Sequence, residues 1–384
     1  MDKKFVMGIA AMAALTLVSC SSDDLDSVSD NSSKNEAISF DGYLGRSAVA
    51  VNGTRGSVLD INALKSTDTD KKGFGVFGYY NSSATDHKST PEESFEANLF
   101  NNQHVTCPST GANWTYSPLK FWPTQGHIDF LAYAPYNYDG INTTLTGTSI
   151  SFKVDKTVAN QKDLLWANAK GQTKQTVSSA ENKNKVKFHF YHALSRLGYT
   201  VNLYKDYSTI PGNKATFTLN KITLAGSPDG TSKNAFYKTG TIDLSKANDA
   251  GDLWDTSSSS TNEGKQNFPW VSSDKPVDNA GIKNAETDYL FVIPQDFSQD
   301  KTTENPNVDE LYVIVEYTIN YGDGTPSVIN KVYKQIKKHF LQGKAYRLNL
   351  TIGLPIEFDV DVVEDWGAED NIYIGSDGNT PWER

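Results

Sequence analysis

The sequence predicts an all-β protein, and three observations predict it. Tyr and Phe are abundant (19 and 18) while Met numbers three, a balance that suits pleated, half-buried surfaces better than helix bundles. Apolar residues recur with period two in many short runs, each reading as one buried face of a strand. Clusters of Gly, Asn, Asp, Ser and Pro separate those runs and read as turns. The length of 384 residues, 38% hydrophobic and 21% charged, is that of a folded globular chain with two domains at roughly 100–200 residues each. Short strands with such joints imply β-sandwiches.

The chain opens with Asp2, Lys3 and Lys4, followed by an apolar run from Phe5 to Val18. That is the make-up of a signal peptide, too short for a membrane span. Leu17-Val18-Ser19-Cys20 then resembles the lipobox of bacterial lipoproteins, in which the peptidase cuts before the Cys and the thiol carries diacylglycerol. By that resemblance residues 1–19 are removed and Cys20 is lipidated; the plainer reading is an ordinary secretory signal or an uncleaved anchor. Residues 20–36 hold Asp23, Asp24, Asp26, Asp30 and Glu36 against Lys34, so they read as a flexible acidic tether. Ser21-Ser22-Asp23-Asp24 also looks like the acidic signal that carries some lipoproteins across the outer membrane.

In the body, Ile38/Phe40, Phe74/Val76, Ile128/Phe130, Ile150/Phe152, Val186/Phe188/Phe190, Phe217/Leu219, Leu311/Val313/Val315 and Ile356/Phe358/Val360/Val362 each mark a strand. Ser227-Pro228-Asp229-Gly230 and Tyr321-Gly322-Asp323-Gly324 mark turns. Asp163 to Lys170 and Ser178 to Lys183 are candidates for single helical turns. The polar stretch Lys170 to Lys185 places a domain boundary near residue 180, giving domains 37–180 and 181–384. Ala247 to Ala285 reads as an exposed loop, with Trp254 and Trp270 as anchors.

Little in the sequence carries catalytic chemistry. A net charge of −10 disfavours sequence-independent nucleic-acid binding. Two cysteines, Cys20 and Cys107, make no disulfide framework, and Cys107 reads as a structural thiol. His189 and His192, three apart on a strand, point to opposite faces and cannot share a metal. No Gly-x-Ser-x-Gly elbow, dinucleotide fingerprint or phosphate loop occurs. Neither an enzyme nor a cofactor is expected.

Several blocks, in order, carry a family likeness. They are Trp114-Thr115-Tyr116 with Lys120-Phe121-Trp122-Pro123, Ile128 to Pro135, Asp163 to Ala167, Val186 to Val201, Ile222 to Gly226, Tyr289 to Gln295, and Gly343-Lys344-Ala345-Tyr346. Together, behind a lipobox, they resemble the fimbrillin-like family, the lipoprotein precursors of type V pilus subunits in Gram-negative bacteria. The resemblance implies two transthyretin-like β-sandwich domains in tandem. It also implies assembly by strand exchange: an Arg-specific protease removes the first strand, and a neighbouring subunit's terminal strand takes its place.

On that reading residues 37–55 are a removable strand and loop, with Ile38 and Phe40 facing the core. Arg55, in Gly53-Thr54-Arg55-Gly56, is the favoured cleavage site over Arg46, in Gly45-Arg46-Ser47; the plainer reading makes both ordinary surface arginines. Pro355 to Val362 alternates, with Ile356, Phe358, Val360 and Val362 on one face and Glu357, Asp359 and Asp361 on the other, which suits β-augmentation. It is equally an in-place final strand, in which case Asn371-Ile372-Tyr373-Ile374 becomes the donor. The turn-rich C-terminus also fits a tip subunit, which accepts a strand and donates none. The expected partners are other pilus subunits, the outer membrane through the lipid, and a surface receptor. A surface glycan-binding lipoprotein is the alternative, with Trp114, Trp122, Trp254 and Trp270 stacking on sugar rings.

Overall fold

A computed structural model describes residues 36–44, 61–65, 72–82, 95–109, 112–209, 214–247, 253–354, 358–364 and 370–372, the last two stretches as backbone. The first half carries β1 (Phe40–Leu44), β2 (Phe74–Asn81), β3 (Phe100–Val105), β4 (His127–Ala134), β5 (Ile141–Thr146), β6 (Ser149–Lys153), β7 (Leu165–Gln172), a one-turn helix α1 (Lys174–Val177) and β8 (Val186–His192). There follow β9 (Ser195–Leu203), β10 (Thr216–Ala225), β11 (Phe236–Tyr237), β12 (Thr239–Asp243), β13 (Trp254–Asp255), β14 (Lys265–Gln266), β15 (Phe268–Val271), β16 (Lys275–Val277), β17 (Ile282–Lys283), β18 (Leu290–Val292), β19 (Gln295–Asp296), β20 (Tyr312–Asn320), β21 (Val328–Gln335), β22 (His339–Phe340), β23 (Ala345–Ile352), β24 (Phe358–Glu364) and β25 (Asp370–Ile372). The protein is all-β, as its sequence predicts.

The first sheet runs β1-β8-β7-β4-β2-β3. Laid flat, strands at its two ends would stand about 24 Å apart, at ~4.8 Å per step. Yet the ring of Phe40 on β1 lies 5.5 Å from that of Phe100 on β3. The sheet therefore folds over on itself, and it turns at β7 and β8, which pair only at Leu165↔His192 and Trp166↔Tyr191. Inside the fold, Phe74, Val76, Phe100, Phe130, Ala132, Phe188 and Phe190 form one core.

The second half is a sandwich of β15-β10-β20-β21 against β17-β9-β23-β24-β25. Leu219, Ile222, Val313 and Val315 from one sheet meet Leu197, Tyr199, Leu348 and Leu350 from the other. This core also receives Phe77, Leu131, Tyr133 and Trp166 from the outer face of the first sheet. Strand β4 is consequently buried on both faces over its whole length, which is why its sequence, HIDFLAYA, is almost continuously apolar.

Strand β8, which lies beyond the expected boundary near residue 180, pairs with both β1 and β7 of the first half. In addition, β6 pairs with β12, so residues 149–153 of the first half join a sheet of the second. Residues 165–170 are strand rather than helical turn, since β7 lies against the two-faced β4; the short helix falls instead at Lys174–Val177, capped by Thr173. Nor is Ala247 to Ala285 a loop throughout: β15 and β16 pair with β10, and β17 pairs with β9. Its polar residues occupy turns, while Phe268, Trp270, Val271 and Val277 enter the core.

Candidate functional site

The first strand lies between β8 and the segment Lys120–Trp122 as a narrow ribbon. It pairs in parallel with β8, placing Phe40 opposite Val186, Gly42 opposite Phe188 and Leu44 opposite Phe190. On its other side, the Ile38 amide donates to the Lys120 carbonyl at 2.8 Å and the Trp122 amide to that of Glu36 at 3.0 Å. The Tyr116 hydroxyl donates to the Ile38 carbonyl at 2.8 Å, and burial raises the pKa of this phenol.

Alternation does the rest. Ile38 and Phe40 point inward and are each 1% exposed. The Phe40 ring sits among those of Phe100, Tyr116, Phe130 and Phe188, at centroid distances of 5.5, 5.4, 5.5 and 5.6 Å. At roughly 1.5–3 kcal/mol for each fully buried side chain, the pair contributes about 3–6 kcal/mol before ordering costs. Gly42, the next inward position, is closely covered: a Cβ there would lie 3.2 Å from Phe190 Cε2 and 3.3 Å from Ile61 Cδ1, so those side chains would have to give to admit one. Without this ribbon, a slot floored by phenylalanine rings would face water.

The outer surface around the ribbon is aromatic. Tyr43 is exposed and stacks on His189 at 4.4 Å, and His189 Nδ1 lies 3.0 Å from the Tyr191 hydroxyl. Burial lowers the His189 pKa. Exposed Leu119 and Phe121 flank the segment that bonds Ile38.

The structure thus brings Ile38 and Phe40 together in one groove. Cys20, Arg46, Arg55 and Ile356 lie outside the described residues. Strand β24 pairs antiparallel with β23, so that Phe358, Val360 and Val362 register with Ile352, Leu350 and Leu348; β25 covers only its last three residues. The sequence reading missed Phe100 and Tyr116 as groove floor. Phe100 begins the polar run FNNQHV, which shows no alternation, and Tyr116 acts from outside any strand.

Three further sets of residues have structural settings. His192 Nδ1 lies 2.5 Å from Asp163 Oδ2, both side chains being buried. Trp114, Trp122 and Trp270 are buried, and the half-buried Trp254 donates to the Ala193 carbonyl at 2.9 Å. The buried Cys107 thiol faces the carbonyls of Ser109 and Ala112, each at 3.2 Å.

Comparison with known proteins places this geometry in context. The chain is similar to the crystal structure of a candidate cell adhesion protein from Bacteroides uniformis, at 13% identity and a TM-score of 0.43, over 87% of this chain and 99% of that one. It is also similar to the tip fimbrial protein of Porphyromonas gingivalis (11%, 0.30, covering 76% and 98%). The fimbrial anchor protein of the same organism matches as well (10%, 0.29, covering 88% and 99%). No curated protein matches the chain. The family model described as fimbrillin-like matches residues 62–366, well over half of the sequence. The chain belongs to the fimbrillin-like family.

Proposed function

We propose that this protein is a subunit of a cell-surface fimbria whose first strand is a temporary plug, released by cleavage after Arg55, or after Arg46, and replaced by a strand from a neighbouring subunit. The family supports the role of fimbrial subunit or adhesin. The observation that carries the finer reading is the setting of Phe40: a fully buried ring, enclosed by four others, on a ribbon joined to its neighbours by backbone bonds that another strand can reproduce. Cys20 would tether the precursor to the outer membrane by lipid, and cutting after Arg55 would release lipid and plug together. The donor is Pro355 to Val362, or Asn371 to Ile374 if β24 stays with β23. The glycan-binding reading draws no support from the four tryptophans, which are spent on the cores.

The test is to treat the purified full-length precursor with an Arg-specific protease, sequence the new N-terminus and run the product on mild-SDS gels. A start at Gly56 or Ser47, together with SDS-resistant ladders, is the expected result. A product that stays monomeric, alone and with other pilins of its source, overturns strand exchange.

A further inference from the structure

The outer face of β8 offers two lysines and a histidine beside the plug. Lys187 and His189 register with Asp41 and Tyr43. Continuing that register by one pair sets Lys185 opposite Ser39, whose carbonyl accepts from the Val186 amide at 2.8 Å. The Lys185 ammonium donates to Asn113 Oδ1 at 2.9 Å, and that of Lys187 to the Glu181 carbonyl. Among the described residues neither meets a carboxylate. Opposite this row the plug presents Ser39, Asp41 and Tyr43, a single acid.

The tail presents the complement. Ile38-Ser39-Phe40-Asp41-Gly42-Tyr43-Leu44 and Ile356-Glu357-Phe358-Asp359-Val360-Asp361-Val362 align without a gap, sharing Ile, Phe and Asp at the same places. Seated in the plug's register, the second would put Glu357 opposite Lys185, Asp359 opposite Lys187 and Asp361 opposite His189. Its Val360 would fall at the Gly42 position, where Phe190 and Ile61 must give by a few tenths of an ångström to admit a side chain. The wider charge distribution agrees: residues 355–384 hold nine Asp and Glu against Arg384, while residues 37–192 hold 15 Lys and Arg against 13 Asp and Glu.

We propose that Lys185, Lys187 and His189 select the incoming strand by charge, so that the groove prefers the acidic strand Ile356–Val362 of a second copy over its own plug. This rests on the strand-exchange reading and adds the partner and the determinant. The groups facing His189 are Tyr43 from β1 and Tyr191 and Lys187 on its own strand. Exchange replaces the Tyr43 ring with a carboxylate, and the preference follows from three facing acids in place of one. Because these pairs sit at the surface, salt weakens them.

The experiment uses the full-length chain nicked by the Arg-specific protease and fluorescent peptides, read by anisotropy. The peptides are residues 355–364, the same with Glu357→Lys, Asp359→Lys and Asp361→Lys, residues 369–376, and the plug, residues 37–44. The expected result is that the native 355–364 peptide binds about ten-fold or more tightly than the reversed peptide at low salt, with the gap closing at high salt. Lys185→Glu/Lys187→Glu protein should invert that order. Equal binding of native and reversed 355–364 while the plug peptide also binds overturns charge selection and leaves strand exchange standing; tighter binding of 369–376 overturns the choice of donor. Failure of every peptide, the plug included, removes both readings.

Discussion

Phe40 and Phe100 meet edge to face, their ring centroids 5.5 Å apart and their planes at 73°, although their strands terminate opposite ends of one hydrogen-bonded path. The contact closes the folded sheet, and it is made by a residue of the first strand. Phe40→Ala is therefore expected to cost about 3–5 kcal/mol, the range for emptying a buried Phe site. Denaturant unfolding of the full-length chain measures it, and a loss below ~1 kcal/mol would show the ring to be dispensable.

Gly78 supports the same floor from below. A Cβ at this position would lie 2.7 Å from Phe100 Cδ2 and 3.2 Å from its Cβ, beside a bulge in the β2–β3 ladder. Gly78→Ala must push Phe100 toward Phe40, and an overpacking cost of about 1–3 kcal/mol is expected. In the double variant with Phe40→Ala the penalty should shrink, because the vacated site accepts the displaced ring. Strict additivity would contradict this coupling.

At the turn of the folded sheet, Asp163 Oδ2 and His192 Nδ1 stand 2.5 Å apart out of water. Removing one partner of a buried charged or polar pair leaves the other without compensation. Asp163→Ala is expected to lose about 3 kcal/mol, whereas Asp163→Asn, which keeps an acceptor in place, should lose markedly less. Thermal unfolding of the two variants decides the matter; equal losses would mean that the carboxylate is no more than filler.

His189 gives the folded protein a pH dependence. Its pKa is lowered by burial in the folded protein, so as pH falls below the ordinary histidine value near 6.5 the unfolded chain takes up a proton that the folded one resists. Stability from this residue is thus full above that value and declines on acidification. The difference in unfolding free energy between pH 7.5 and pH 5 should be smaller in His189→Asn than in the unaltered precursor. An identical difference in both proteins would exclude His189 as the source.

Much of the fold was legible because one-sided strands alternate. Ile38/Phe40, Ile150/Phe152 and Val186/Phe188/Phe190 read correctly, since each shows one face to a core and the other to solvent or a polar neighbour. Strand β4 was only half legible: Ile128 and Phe130 were assigned to a core, but Leu131 and Tyr133, equally buried, serve a second one that local pattern does not announce. The β6–β12 pairing joins residues about 90 apart and leaves no trace in local periodicity. The groove was legible in the inward residues of its first strand and not in its floor, because Phe100 and Tyr116 are recruited by tertiary contact from segments without alternation. His189 was read only as unable to share a metal with His192, and the parallel register with Tyr43 shows its place beside the ribbon.

Tyr133 and Trp166 reach from the first sheet into the core of the second sandwich. Sliding the halves past one another would mean dragging two large rings out of close packing, so no soft joint separates them. A filament assembled from such bodies should bend and stretch at the junctions between subunits, each subunit behaving as a single stiff bead under load.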